Sequence, residues 1–210
     1  MTDRSVQRNE RAALCDTLAS AGPDAPTLCE GWVTTDLAAH LLVRERNPLA
    51  LPGIVAGGPF AAITRRLMGR AARRGYSAVI DRLRAGPPPW NQVGPMSTVN
   101  LVEDFVHHED VRRAAGAGPR PPDPARDDAL WRGLRAAARL QGRRVRGAGL
   151  EVATPDARRR TVRRGEPRAT LTGPPGELVL YLNGRTSVAE VELDGPPEAV
   201  DAVRSARFGV

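Results

Sequence analysis

From Gly118 to Pro124 the chain reads Gly-Pro-Arg-Pro-Pro-Asp-Pro, and neither a helix nor a sheet can run through such a stretch. Each proline locks its own φ and lacks the N–H that a helix interior or a central strand needs. The segment reads as a stiff linker, so a chain of 210 residues must bury its apolar surface separately on either side. The two sides differ in period. Before the linker, apolar residues recur three and four positions apart; after it, short runs alternate as strands do.

Upstream, Val6, Ala13, Leu14, Thr17 and Leu18 predict a helix from Asp3 to Ala21, stopped by Gly22-Pro23. Thr34 or Thr35 is the expected N-cap of a second helix reaching Arg46, with Asp36 in its first turn. Pro48, Pro52 and Gly57-Gly58-Pro59 separate it from a third, Phe60 to Arg84. Pro87-Pro88-Pro89 forces an extended connection, after which Ser97 or Thr98 can cap a fourth. Downstream, a helix is expected from Asp127 to Gln141, strands at Leu150 to Ala153, Arg160 to Val162, Ala169 to Thr172 and Ala189 to Leu193, and helices at Gly176 to Asn183 and Pro197 to Ser205. The reading is α+β: a four-helix bundle over 1–118, a linker and helix over 119–148, and a small α+β domain over 149–210.

With 41% hydrophobic residues but only 4% aromatic, the core must rest on Leu, Val and Ala. The N-terminus is charged where a signal peptide would be apolar, and no apolar run matches a bilayer, so a cytoplasmic protein with no membrane contact is expected. Cys15 and Cys29 form no CxxC and fit a reducing compartment; Cys15 reads as core, and Cys29 as core or near a pocket. The net charge is +7 without a single lysine, a pattern of GC-rich coding. The arginine-dense run from Arg139 to Arg168 has no interleaved aromatics and no finger or helix-turn-helix spacing, so no nucleic-acid partner is expected.

All three histidines fall in the second and fourth helices. Glu103 and His107, four apart, can aim a carboxylate and an imidazole at one point, and His40, on an apolar helix face, can supply a third ligand. Two imidazoles and a carboxylate suit zinc and other divalent first-row metals with a position left open. Asp104 and His108 repeat the same spacing, and periodicity leaves both registers open, although only one pair is expected to face the interior. Asp110 lies on the side of Glu103 and His107, where it would orient His107 or a water; the plainer reading is a solvated charge. Arg44, one turn after His40, reads as a solvated helix charge or a partner for a substrate carboxylate.

Leu28-Cys29-Glu30-Gly31-Trp32 leading into Thr34 to Leu41, followed by Val102-Glu103 and His107-His108-Glu109-Asp110, resembles the mycothiol-dependent maleylpyruvate isomerase-like proteins of the wider DinB group. The tail, around Arg168 to Gly173 and Leu178 to Arg185, resembles the family's sterol-carrier-like C-terminal domain. The resemblance implies a metal on His40, Glu103 and His107, zinc first among candidates, and mycothiol as co-substrate. It implies a thiol-dependent isomerase or transferase acting on an electrophilic substrate, and it leaves the oligomeric state open. The same ligands would serve a metal-binding module without activity, or a hydrolase with Asp110 or Glu109 as base.

Overall fold

Helix α1, Asp3–Ala21, buries Val6, Gln7, Glu10, Arg11, Leu14, Cys15 and Leu18, the three-and-four spacing of a single face. It stops at Gly22, whose φ of 82° is cheap only for glycine and whose N–H returns to the Leu18 carbonyl at 3.2 Å. The computed structural model describes residues 3–47, 60–91 and 96–209, and the chain forms two compact units, Met1–Gly118 and Pro119–Val210.

In the first unit α2 spans Thr34–Arg46, but neither threonine caps it. The N-cap is Val33, whose N–H donates to the Asp36 carboxylate at 3.2 Å. The threonine hydroxyls point backward instead, Thr34 to the Gly22 carbonyl and Thr35 to that of Pro23 at 2.8 Å, tying the start of α2 to the end of α1. The expected turn at Pro48, Pro52 and Gly57-Gly58-Pro59 lies outside the described residues. The single third helix expected from Phe60 to Arg84 is two, α3 (Phe60–Ala72) and α4 (Tyr76–Arg84), broken at Gly75 with φ 89°. Pro89–Asn91 makes one 3-10 turn, and α5 runs Met96–Ala114, which puts Ser97 and Thr98 inside the helix rather than at its cap. Helix α1 packs on α4 and α5, and α2 on α3 and α4. Their shared core holds Leu14, Leu18, Leu37, Leu41, Ile80 and Leu83, each contributing roughly 1.5–3 kcal/mol by leaving water.

Cys15 belongs to this core, whereas Cys29 is half-buried, and both are free thiols. Burial pushes the Cys15 thiol up to about 11. A thiol whose folded pKa is raised contributes fully below its ordinary value of 9.0 and loses that contribution as pH climbs toward about 11. At about 1.4 kcal/mol per unit the loss is roughly 3 kcal/mol. Denaturant titrations between pH 8 and 11 should therefore show a steeper decline in the natural chain than in Cys15→Ala. Equal slopes would mean that Cys15 ionises without opening the fold.

In the second unit α6 (Pro124–Gln141) starts at Asp123, whose carboxylate accepts the N–H groups of Ala125 and Arg126 at 3.0 and 3.1 Å. Four strands follow: β1 (Gly149–Ala153), β2 (Arg159–Arg163), β3 (Arg168–Thr172) and β4 (Glu192–Asp194), with α7 (Pro175–Leu182) between β3 and β4 and α8 (Pro197–Arg204) at the end. Their order is β2-β1-β3-β4, with the β1–β3 pair parallel and both outer pairs antiparallel. The last strand is shorter than the expected run from Ala189 to Leu193. Gly142, just past α6, lies so close to β2 that a Cβ there would meet the Val162 carbonyl at 2.3 Å. Part of the arginine-dense run is spent internally: Arg158 and Arg160 stack on Trp131 at 5.4 and 4.7 Å from the ring centroid, and Arg158 pairs with Asp128 at 2.7 Å. No described helix is long and apolar enough to cross a membrane.

Candidate metal centre

Helix α5 has no solvated face along its middle. Asp104, Phe105, Val106, His107, His108, Glu109, Asp110 and Val111 are all buried, so the expectation that only one of the two acid/histidine pairs turns inward is corrected: both pairs have inward-facing members. Buried polar groups need partners, and here α1 and α2 divide them. Toward α1, Asp104 accepts from Gln7 at 2.7 Å and from Arg11 at 3.1 Å. His108 lies 2.8 Å from Glu10 through Nδ1 and 2.8 Å from the Thr17 hydroxyl through Nε2, which uses both ring nitrogens. Asp104 and His108 are thus committed to structure.

Glu103 and His107 look toward α2. His40, His107 and Glu103 bring one nitrogen or oxygen each within 4.8 Å of one another. The two rings meet edge to face, centroids 5.4 Å apart, and His107 Nε2 lies 3.6 Å from Glu103 Oε2. Trp32 also packs against His40, its ring centroid 5.0 Å away and its plane tilted by 52°. Arg44 is neither solvated nor free for a substrate: its Nε is 3.3 Å from Glu103 and its terminal nitrogen donates to Asn100 at 3.2 Å.

Asp110 is fully buried rather than solvated, and its Oδ2 lies 2.8 Å from His107 Nδ1. With that contact assigned as Nδ1–H donating to the carboxylate, Nε2 carries the lone pair and turns it toward Glu103 and His40. Three electron-pair donors then converge on one spot, an arrangement that a proton or a cation must satisfy. The electrostatics show the same demand. Burial would lower the pKa of His107, but hydrogen bonds to Asp110, Cys29 and Glu103 outweigh it and hold it well above the ordinary histidine value. Burial would raise Glu103, yet His107, Arg44 and His40 bring it down to about 2. The donor set of two imidazoles and one carboxylate fits a divalent first-row cation.

The candidate bases for water activation are both engaged. Asp110 holds His107, and Glu109, 1% exposed, pairs with Arg112 and Arg113 at 2.7 Å each. Sequence reasoning does not find Asn100 or the roles of Cys29 and Trp32: Arg44 and Asp110 lie 56 and 81 positions from Asn100 and Cys29, and the contact of Trp32 with His40 crosses a turn that has no regular period.

No family model matches the chain, and no curated protein matches it in sequence. Among solved structures it is similar to mycothiol-dependent maleylpyruvate isomerase, with a TM-score of 0.60 at 17% identity. A histidine-to-alanine mutant of that enzyme gives a TM-score of 0.61 at 15% identity. In each case the match covers 93% of this chain and 95% of the other. The fold is therefore that of this isomerase, an α+β arrangement that spans both units.

Proposed function

We propose that His40, Glu103 and His107 hold a divalent metal, zinc first, and that the site activates a small-molecule thiol, mycothiol, toward an electrophilic substrate for isomerisation or S-transfer. The convergence of the three donors, with His107 Nδ1 already occupied by Asp110, carries this reading. The likeness in fold to a mycothiol-dependent isomerase supports the choice of thiol over water. So does the engagement of both Asp110 and Glu109, which leaves a hydrolase without its base.

The residues divide the work. His40 comes from α2, and Glu103 with His107 from one face of α5. Arg44 braces the Glu103 carboxylate, Asp110 fixes the ring orientation of His107, and Trp32 packs against His40 and limits water there. When bound, a divalent cation supplies a Lewis-acid position at which a thiol of ordinary pKa near ~8.5 ionises at neutral pH. Held there by His40, Glu103 and His107, the ion would supply a thiolate at neutral pH, the nucleophile that addition to an activated double bond or displacement of a leaving group would need.

Elemental analysis of the purified protein beside His40→Ala tests the site, with mycothiol titrated into the cobalt-loaded form. Near-stoichiometric metal, lost in the variant, and a thiol-induced change in the cobalt spectrum are expected. No metal in either protein after reconstitution would end the metal reading, and bound cobalt blind to mycothiol would end the thiol reading.

A further inference from the structure

One short loop touches both histidines of the candidate centre. It winds around the Thr27 hydroxyl, which accepts the Cys29 N–H at 3.2 Å and donates to the Trp32 carbonyl at 2.9 Å. Gly31, with φ 74°, supplies the turn, and the Trp32 N–H closes it on the Cys29 carbonyl at 3.0 Å. The Leu28 N–H pins the loop to α5 through the Asp110 carbonyl at 3.1 Å. From this frame Trp32 reaches His40, while the Cys29 thiol donates to Asp110 Oδ2 at 3.2 Å, the same oxygen that engages His107 Nδ1.

We propose that Cys29 is a positioning residue of the centre: through the shared oxygen of Asp110 it fixes the carboxylate that orients His107, while its neighbour Trp32 braces His40 from the same loop. This rests on the metal reading above. Cys29 Sγ lies 4.0 Å from His107 Nδ1 and on that side of the ring, away from Nε2. An imidazole that donates from Nδ1 to Asp110 has no lone pair there to deprotonate the thiol or to take a second cation. Cys29 thus lies on the side of the ring away from the ion that Nε2 would meet, and it is not one of that ion's ligands. Its effect passes through Asp110. With that donor removed, the Asp110 oxygen loses one of the contacts that fix its place, the carboxylate turns, and its hydrogen bond to the imidazole N–H lengthens. Partners of this kind in other metal sites change affinity by about 10–100-fold when removed.

The test compares the natural chain with Cys29→Ala and Cys29→Ser, since serine restores an O–H donor in nearly the same place. Two readouts are taken: zinc affinity by chelator competition, and the His107 ring N–H proton resonance in the metal-free protein, identified by its loss in His107→Ala. Cys29→Ala should weaken zinc about tenfold and move the ring N–H upfield as its bond to Asp110 loosens, and Cys29→Ser should recover most of both. A ring N–H that stays in place in Cys29→Ala, with zinc affinity unchanged, overturns the proposal and leaves Cys29 as packing. If the natural chain takes no zinc, the metal reading fails while the ring resonance still decides whether Cys29 acts on His107.

Discussion

Arg11→Leu is expected to lower the stability of the first unit by about 3–5 kcal/mol at pH 8, and by clearly less at pH 5. Arg11 is 3% exposed and pairs with two buried carboxylates, Glu45 and Asp104, while also donating to the Leu83 carbonyl at 3.2 Å. Without it, two carboxylates are stranded among helices, and each must either ionise unpaired or take up a proton. Burial already pushes Asp104 up to about 7; Arg11 and Gln7 restrain it, and Glu45 and Glu10 add to the rise. Burial likewise raises Glu45 against the pull of Arg11. A carboxyl with a raised folded pKa holds its proton more tightly when folded. For Asp104 that contribution is complete below the ordinary value of 3.8 and is lost as pH rises to about 7. Removing Arg11 raises both groups further, which widens the gap between pH 5 and pH 8. Urea titrations of both proteins at the two pH values measure it, and an equal loss at each would show that packing, not charge, is what Arg11 supplies.

Glu103→Ala and His107→Ala are expected to abolish metal uptake and, with it, thiol-dependent turnover. A Lewis acid worth several kcal/mol corresponds to a fall of about a thousandfold or more. The hydrophobic core of the first unit includes neither side chain, so the fold should survive both changes, Glu103→Ala with little loss and His107→Ala with a measurable loss of stability, since it takes one partner from the buried Asp110. Linkage gives a second readout that needs no substrate. Metal at one hundred times its Kd adds about 2.7 kcal/mol to the natural chain, seen as a rise in Tm, and both variants should lack that rise. Thiol-dependent turnover retained in either variant would sink the mechanism, and a metal-induced rise in Tm retained in both would place the ion elsewhere.

The elements that the sequence announces are those with a local cause. The spacing of Leu14 and Leu18 and the stop at Gly22 define α1, and the alternation around Leu150, Val152 and Leu171 defines the inner strands. The break at Gly75 was not readable, because a lone glycine is tolerated inside many helices and only its backbone angle reveals the stop. The N-cap of α2 departs from its sequence signal for a related reason: Thr34 and Thr35 have the right chemistry, but the carbonyls of Gly22 and Pro23 compete for their hydroxyls. At the candidate site the four-residue spacing of Glu103 and His107 was plain. Which pair would look toward α2 was not, since that is decided by Gln7, Glu10 and Arg11, more than ninety positions away. Asp110 sits in a charged run and so resembles a surface acid. It is buried all the same, and one of its partners, Cys29, comes from a distant loop.

The buried middle of α5 restricts how such a chain can change over generations. A surface helix accumulates substitutions on its wet side one at a time, whereas here Asp104, His107, His108, Glu109 and Asp110 each answer to a specific partner. Drift at position 104 is coupled to position 11, and drift at 108 to position 10, so an isolated change strands a buried charge or an unmet hydrogen bond. Viable descendants must replace such residues in pairs or leave them alone. The helix that carries two of the three candidate ligands is therefore held in place by pairings made for other reasons, and the ligand geometry can persist through long divergence even where substrate or metal has changed.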